Sequence, residues 1–83
     1  ISMTLNSANP VSGQAAISWT LPPIERATLT IVDLAGRAVA TQALETIEGV
    51  FTWNAAENPA GVYFVRMTTE SGTTIQRRMA VVR

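Results

Sequence analysis

The chain has 83 residues, enough for one domain and too few for two. It contains no histidine and no cysteine, which excludes thiol chemistry, nearly all zinc chemistry and the commonest general base, so no metal or cofactor site is predicted. Its 6 basic residues, all arginine, balance 6 acidic residues, and this zero net charge disfavours nucleic acid or an anionic membrane as a partner.

Two further features concern the setting of the domain. The sequence begins at Ile1 rather than at methionine, so we expect residues 1–83 to form one module of a larger protein. No apolar run reaches the roughly 20 residues that a membrane helix needs, so no membrane insertion is expected.

Turn-forming residues recur at short intervals along the chain and leave no room for ordinary helices. The segments between them are rich in Val, Ile, Thr and aromatic residues, a composition typical of strands. The predicted strands are residues 3–8, 14–20, 27–33, 37–44, 49–54, 61–70 and 73–82. Residues 24–27 and 37–44 lack the apolar spacing of a helix. An all-β fold is therefore predicted, an immunoglobulin-like antiparallel β-sandwich of about seven strands.

Alternation along the strands divides their side chains between a core face and a solvent face. The predicted core residues are Ile17, Trp19, Leu21, Leu29, Ile31, Phe51, Trp53, Tyr63, Val65 and Met67. On the sixth strand Phe64 then points outward with Arg66 beside it, and on the seventh strand Ala80 and Val82 point outward. These residues form a candidate docking patch, although a single exposed apolar residue is the more common explanation.

The last strand has an imperfect pattern, because Arg77 shares the inward row with Ile75, Met79 and Val81. Either a β-bulge or a side chain of Arg77 that reaches back to solvent explains the charge in this row. Residues 70–73 form a short loop with a glycine, which predicts a hairpin between the last two strands.

Two other turns are well defined in the sequence. Between the third and fourth strands, Asp33 is placed to accept hydrogen bonds from nearby amides, Gly36 to adopt a positive φ, and Arg37 begins the next strand. Residues 58–61 form the turn that starts the sixth strand.

Three chemical alternatives are weaker than their structural explanations. Paired carboxylates are required for glycoside hydrolysis, but the acidic residues fall in turns and at strand ends, where solvated charge is the favoured interpretation. Asn54, Glu57 and Asn58 offer oxygen atoms for calcium, but turn formation explains them better. Trp19, Trp53 and Tyr63 are suited to a sugar-binding face, yet each lies in the apolar row of its strand, which favours core packing.

Several segments of the chain together resemble a known family. They are Asn9-Pro10, ISWTLP at 17–22, LTIVDLAGRAV at 29–39, GVFTW at 49–53, AGVYFVRM at 60–67 and RRMAVVR at 77–83. In this order and spacing they resemble the carboxy-terminal sorting domain (type A) of the type IX secretion system of Bacteroidetes, over about residues 9–83. The immunoglobulin-like domain of flagellar hook-capping proteins shares the segments around Asp33 and Tyr63.

The resemblance implies that the domain is the carboxy-terminal module of a secreted protein and has no catalytic activity. It implies two partners, the components of the type IX translocon and a covalently attached amino-terminal cargo domain. The cargo would pass through the periplasm to the outside or to the cell surface. The alternative is a structural or carbohydrate-binding immunoglobulin-like module of a multidomain secreted enzyme.

The resemblance also indicates which residues matter. The residues expected to contact the translocon are Phe64, Arg66, Arg77, Arg78 and Arg83. The residues expected to act through the fold are Asn9, Pro10, Asp33, Gly36, Arg37, Gly61 and Tyr63.

Overall fold

A computed structural model describes residues 1–6 and 9–82. Its strands are β1 (Ser2–Leu5), β2 (Gln14–Thr20), β3 (Ala27–Asp33), β4 (Ala38–Leu44), β5 (Glu48–Asn54), β6 (Gly61–Thr69) and β7 (Thr74–Val81), and a short 3-10 helix spans Ala55–Glu57. Strands β2 to β7 lie within one residue of their predicted bounds. None of the described residues forms a helix long and apolar enough to cross a membrane.

The strands form two antiparallel sheets, one of order β1-β2-β5 and one of order β4-β3-β6-β7. The chain crosses from one sheet to the other at the β2–β3, β4–β5 and β5–β6 connections. This arrangement confirms the predicted immunoglobulin-like sandwich.

The first strand is shorter than predicted. Its pairing with β2 ends at Leu5, opposite Ile17, and not at residue 8; residues 7 and 8 lie outside the described part of the chain. The reason is a change of sheet, since Val11 forms a parallel bridge with Val81 at the edge of the other sheet. The chain therefore contributes to both sheets before β2 begins.

The core lies between the sheets and contains nearly all of the predicted residues. Those buried are Ile17, Trp19, Leu21, Leu29, Ile31, Trp53, Tyr63, Val65 and Met67. Phe51 is instead half-buried at the margin of this core. The rings of Trp53 on β5 and Tyr63 on β6 join the two sheets in an edge-to-face contact, with centroids 5.2 Å apart. Such a pair adds about 0.5–1.5 kcal/mol to the effect of burial alone.

The irregularity expected around Arg77 is not a bulge. The β6–β7 register is continuous from Gly61 opposite Val81 to Thr68 opposite Thr74. Arg77 lies opposite Val65, and its exposed guanidinium donates a hydrogen bond to the carbonyl of Gln76, at 3.1 Å. Since β7 is an edge strand, a long side chain of the inner row reaches solvent around the edge.

A close contact between β2 and β5 depends on a glycine. Trp19 pairs directly with Gly49, and a Cβ atom added at Gly49 would lie 2.6 Å from Cζ2 of the Trp19 ring. The indole nitrogen of Trp19 also donates a hydrogen bond to the carbonyl of Thr46, at 3.2 Å, which restricts the ring. The ring therefore covers the glycine and has little freedom to move aside.

We expect Gly49→Ala to lower the free energy of unfolding by about 1–3 kcal/mol, because the new methyl group overpacks the Trp19 ring. Urea denaturation followed by tryptophan fluorescence measures the change. Val50→Ala on the same strand is the matched control, since Val50 is 60% exposed and its truncation leaves the ring untouched. Equal stabilities for Gly49→Ala and the native chain would contradict this interpretation.

The β2–β3 connection contains a backbone outlier. Ile24 has φ +62° and a fully exposed side chain. It is the third residue of a turn closed by a hydrogen bond from the Glu25 amide to the Pro22 carbonyl, a position normally taken by glycine when φ is positive. The carboxylate of Glu25 accepts hydrogen bonds from the amide (3.2 Å) and hydroxyl (3.0 Å) of Ser71, and these bonds lower its pKa. The strained turn is thereby attached to the β6–β7 loop.

Replacing Ile24 by glycine is expected to stabilise the domain by about 0.5–1 kcal/mol. A β-branched side chain is disfavoured in the left-handed region, and this one contributes no buried surface in return. Thermal unfolding measured by circular dichroism tests the prediction. Ile47→Gly is the control, because Ile47 is also exposed but has no positive φ, and it should destabilise.

Candidate recognition site

The β3–β4 turn is organised by one carboxylate. Oδ1 of Asp33 accepts hydrogen bonds from the amides of Ala35 (3.0 Å) and Arg37 (2.9 Å), and Oδ2 pairs with Nε of Arg37 at 3.1 Å. Gly36 has φ +87°, which a residue with a side chain rarely adopts. Both oxygens of this carboxylate therefore take part in holding the turn.

The turn before β6 lies at the same end of the sandwich. The hydroxyl of Tyr63 donates a hydrogen bond to the carbonyl of Pro59 at 2.6 Å, and Gly61 starts the strand at φ +154°. A shallow groove of about 330 Å³ separates this turn from the β3–β4 turn and is lined in part by Leu34 and Val62. The two turns that carry most of the family resemblance therefore lie on opposite sides of one groove.

Asn9 attaches the segment before β2 to the edge of β7. Its Nδ2 donates a hydrogen bond to the carbonyl of Arg78 (3.3 Å), and its Oδ1 accepts one from the amide of Ala80 (3.1 Å). The amide group thus takes the place of a peptide group in a neighbouring strand. Val11 continues the pairing with hydrogen bonds to Ala80 and Val82. Pro10, between Asn9 and Val11 in the sequence, is exposed.

The outer surface of the four-stranded sheet holds three of the expected contact residues. Phe64 lies between Val32 and Arg78 in the register, and Arg66 is two residues further along β6, at the next outward position. Nε and Nη2 of Arg66 both donate to Oε1 of Gln76, at 3.1 Å. We call Phe64, Arg66, Gln76 and Arg78 the basic face.

The remaining expected contact residues lie elsewhere. Arg77 belongs to the opposite side of β7, and Arg83 lies outside the described residues. Phe64 points outward but is half-buried rather than freely exposed, since it packs beside Val32, which is only 7% exposed on that same side. Ala80 is likewise half-buried.

Among the residues that the structure describes, the arginines of the basic face are not paired with a carboxylate. The acidic residues lie in the connections between strands, at the end of β3, at the start of β5 or in the 3-10 helix: Glu25, Asp33, Glu45, Glu48, Glu57 and Glu70. Within residues 1–6 and 9–82, Asp33 and Arg37 form an ion pair, whereas Arg66 and Arg78 have no acidic partner. The guanidinium of Arg66 is oriented by a neutral amide, that of Gln76.

The role of Gln76 did not emerge from the sequence. Its pairing with Arg66 depends on the hairpin register, which the predicted strand ends misplace by one residue. The hydrogen bond from the Thr69 amide to the Thr73 carbonyl fixes that register. The alternation of core residues could have given the correct register, because only this register pairs Met67 with Ile75 on the inner side.

The chemical alternatives find little support. Asn54 and Asn58 flank the 3-10 helix, and Nδ2 of Asn58 donates to the carbonyl of Asn54 at 3.3 Å, so they serve the turn. Across the described positions no group of three acidic, histidine or cysteine side chains is arranged for a metal ion. Trp19, Trp53 and Tyr63 are buried, as the core interpretation predicted, and do not present a stacking surface for a sugar.

The fold and these sites define a small immunoglobulin-like module with a basic sheet surface. The family model described as the secretion system C-terminal sorting domain matches residues 8–81, and the chain belongs to this family. A search of curated proteins found no significant match. Domains of this family are sorting signals for type IX secretion and direct proteins to the outside or to the cell surface.

We expect Asn9→Ala to lower the free energy of unfolding by about 1 kcal/mol, because two hydrogen bonds to the edge of β7 are lost. Hydrogen exchange of the Ala80 amide should accelerate, since Oδ1 of Asn9 no longer protects it. Gln42→Ala is the control, because the Gln42 amide bonds only the carbonyl of the next residue. Unchanged exchange at Ala80 in the Asn9 variant would contradict the assigned contact.

Proposed function

We propose that residues 1–83 form the carboxy-terminal module of a larger protein and that the basic face binds a component of the type IX translocon. The observation that carries this proposal is a pair of arginines, Arg66 and Arg78, that have no acidic partner within residues 1–6 and 9–82 and lie next to the half-buried ring of Phe64. A partner surface with carboxylates around an apolar contact would be complementary to it.

The orientation of Arg66 favours recognition. Both hydrogen bonds from its Nε and Nη2 go to one oxygen of Gln76, so the side chain is held before any partner arrives. Less conformational entropy is then lost on binding, and Arg and aromatic residues are enriched at the centres of protein interfaces. Arg77 and Arg83 are proposed to extend this contact around the edge and along the end of β7.

The cargo is proposed to be joined at the amino terminus. Strand β1 belongs to the three-stranded sheet, whereas the basic face is the outer surface of the four-stranded sheet. A cargo attached ahead of β1 therefore starts from the opposite layer and leaves the basic face open. The same layer arrangement allows cargo domains of different sizes.

A role without catalysis is part of the proposal. The carboxylate of Asp33 accepts three hydrogen bonds within its turn, and that of Glu25 accepts hydrogen bonds from Ser71. A carboxylate engaged in this way is a poor candidate for an acid or base in hydrolysis. The shallow groove beside Asp33 has no second acidic side chain among its lining residues.

The test is a fusion of a periplasmic reporter ahead of residues 1–83 in a host with a type IX system. Reversal of both charges, Arg66→Glu with Arg78→Glu, is expected to lower the secreted fraction about tenfold, because attraction to a carboxylate surface becomes repulsion. Secreted and periplasmic reporter are quantified separately.

The matched control is Arg26→Glu, an exposed arginine at the end of the sandwich that holds the β2–β3 connection. It changes the net charge by half as much and should secrete like the native fusion. If both charge variants are secreted equally well while remaining folded, the basic face is not the contact surface. If the native fusion stays in the periplasm, the sorting role itself fails.

A further inference from the structure

We propose that the partner binds the open half of the β7 edge by adding an extended, acidic strand of its own. This inference rests on the proposed function, since it specifies how a translocon component recognises the domain. It assigns the recognition to main-chain groups of residues 74–78 and to the arginines beside them, and it names the partner as a strand-forming segment rich in carboxylates.

One half of this edge is already covered. Val11 donates to the carbonyl of Ala80 (2.7 Å) and accepts from the amide of Val82 (2.9 Å), and the Asn9 side chain bonds Arg78 and Ala80. These contacts show that the even-numbered residues of β7 direct their amides and carbonyls away from β6. Odd-numbered residues direct theirs toward β6, as alternation in an antiparallel ladder requires.

The other half of the edge is open. By the same alternation, the amides of Gln76 and Arg78 point outward, and within residues 1–6 and 9–82 neither has an acceptor. The carbonyl of Gln76 receives only the exposed side chain of Arg77. An unpaired run of this kind offers the donors and acceptors to which an additional strand pairs.

The side chains around the open edge determine the chemistry of the added strand. Arg78 and Arg66 lie on the outer side of the sheet and Arg77 on the inner side, so positive charge flanks the edge on both sides. The strand β7 itself contains no acidic residue. A strand with carboxylates at consecutive positions would place one of them beside Arg78 on the outer side and the next beside Arg77 on the inner side.

The other exposed edges lack this combination. Strand β5 contains Glu48 and no arginine, and β4 contains no charged residue at all. A second copy of the chain paired through β7 would bring the two arginines of each open edge close to those of the other, which is repulsive. An acidic strand from a different protein is therefore the favoured occupant.

Gln76→Pro is the decisive variant, because it removes an outward amide from the middle of the open edge. Proline is tolerated at such a position, since the lost amide does not bond within the sheet. Strand β5 supplies the matched control. The backbone amide of Asn6 bonds the carbonyl of Ala16, so the even residues of β2 direct their backbone groups toward β1 and the odd residues toward β5. Thr52 lies opposite Ala16 and therefore directs its own amide to the open side of β5. Thr52→Pro therefore blocks an equivalent edge of the other sheet.

In the reporter fusion we expect Gln76→Pro to lower the secreted fraction about tenfold, and Thr52→Pro to leave it near the native value. Gln76→Ala separates the side chain from the main chain. It releases the side chain of Arg66 but keeps the backbone amide, and it should lower the secreted fraction by less than about threefold. Circular dichroism of the purified variants verifies that both proline variants are folded at the assay temperature.

The possible outcomes test strand addition at β7 separately from the sorting role. If the native fusion is secreted and folded Gln76→Pro is secreted as well as Thr52→Pro, strand addition at β7 is wrong while the sorting role stands. If Gln76→Ala lowers the secreted fraction as much as Gln76→Pro does, the backbone amide is irrelevant and the proposal is overturned in favour of side-chain contact. If light scattering shows a dimer of the native domain that Gln76→Pro dissociates, the occupant is a second copy.

Discussion

The anchoring of Tyr63 determines how the basic face is presented. Its ring contacts Trp53 across the two sheets, and its hydroxyl bonds the carbonyl of Pro59. With this side chain fixed inward, the strict alternation of β6 requires Phe64 and Arg66 to point outward. A slip of one residue would bury the guanidinium, so the core contact and the charge on the opposite face are two consequences of one constraint.

The segment around Asn9 connects the beginning of the chain to its last strand. Because a side-chain amide replaces a peptide group there, the domain covers half of the β7 edge without extending β1 into the second sheet. A long exposed edge invites unwanted pairing, and partial covering is one way to limit it. The part left open, from residue 74 to the amide of Arg78, is short and flanked by the positive charges of Arg77 and Arg78.

Alternation of apolar residues predicted the sheets well, because burial on one face sets a period of two that needs no tertiary information. It placed Tyr63 and Met67 inside correctly. It did not predict the end of β1, since the change of sheet at Val11 depends on a partner 70 residues away in the sequence. Nor did it predict the positive φ of Ile24, because the attachment of Glu25 to Ser71, which fixes that turn, overrides local preference.

A domain with no net charge can still have an uneven distribution of charge over its surface. Its 6 basic and 6 acidic residues cancel in sum, yet four of the carboxylates, at Glu25, Glu45, Glu48 and Glu70, lie at the end where β2–β3, β4–β5 and β6–β7 connect. The arginines of β6 and β7 act mainly within a screening length of about 8 Å at physiological salt. Attraction therefore arises only once a partner faces the basic sheet surface closely, and long-range steering toward any anionic surface is weak. Such an arrangement favours selectivity over rapid capture, which is consistent with the proposed binding of one partner at the basic face.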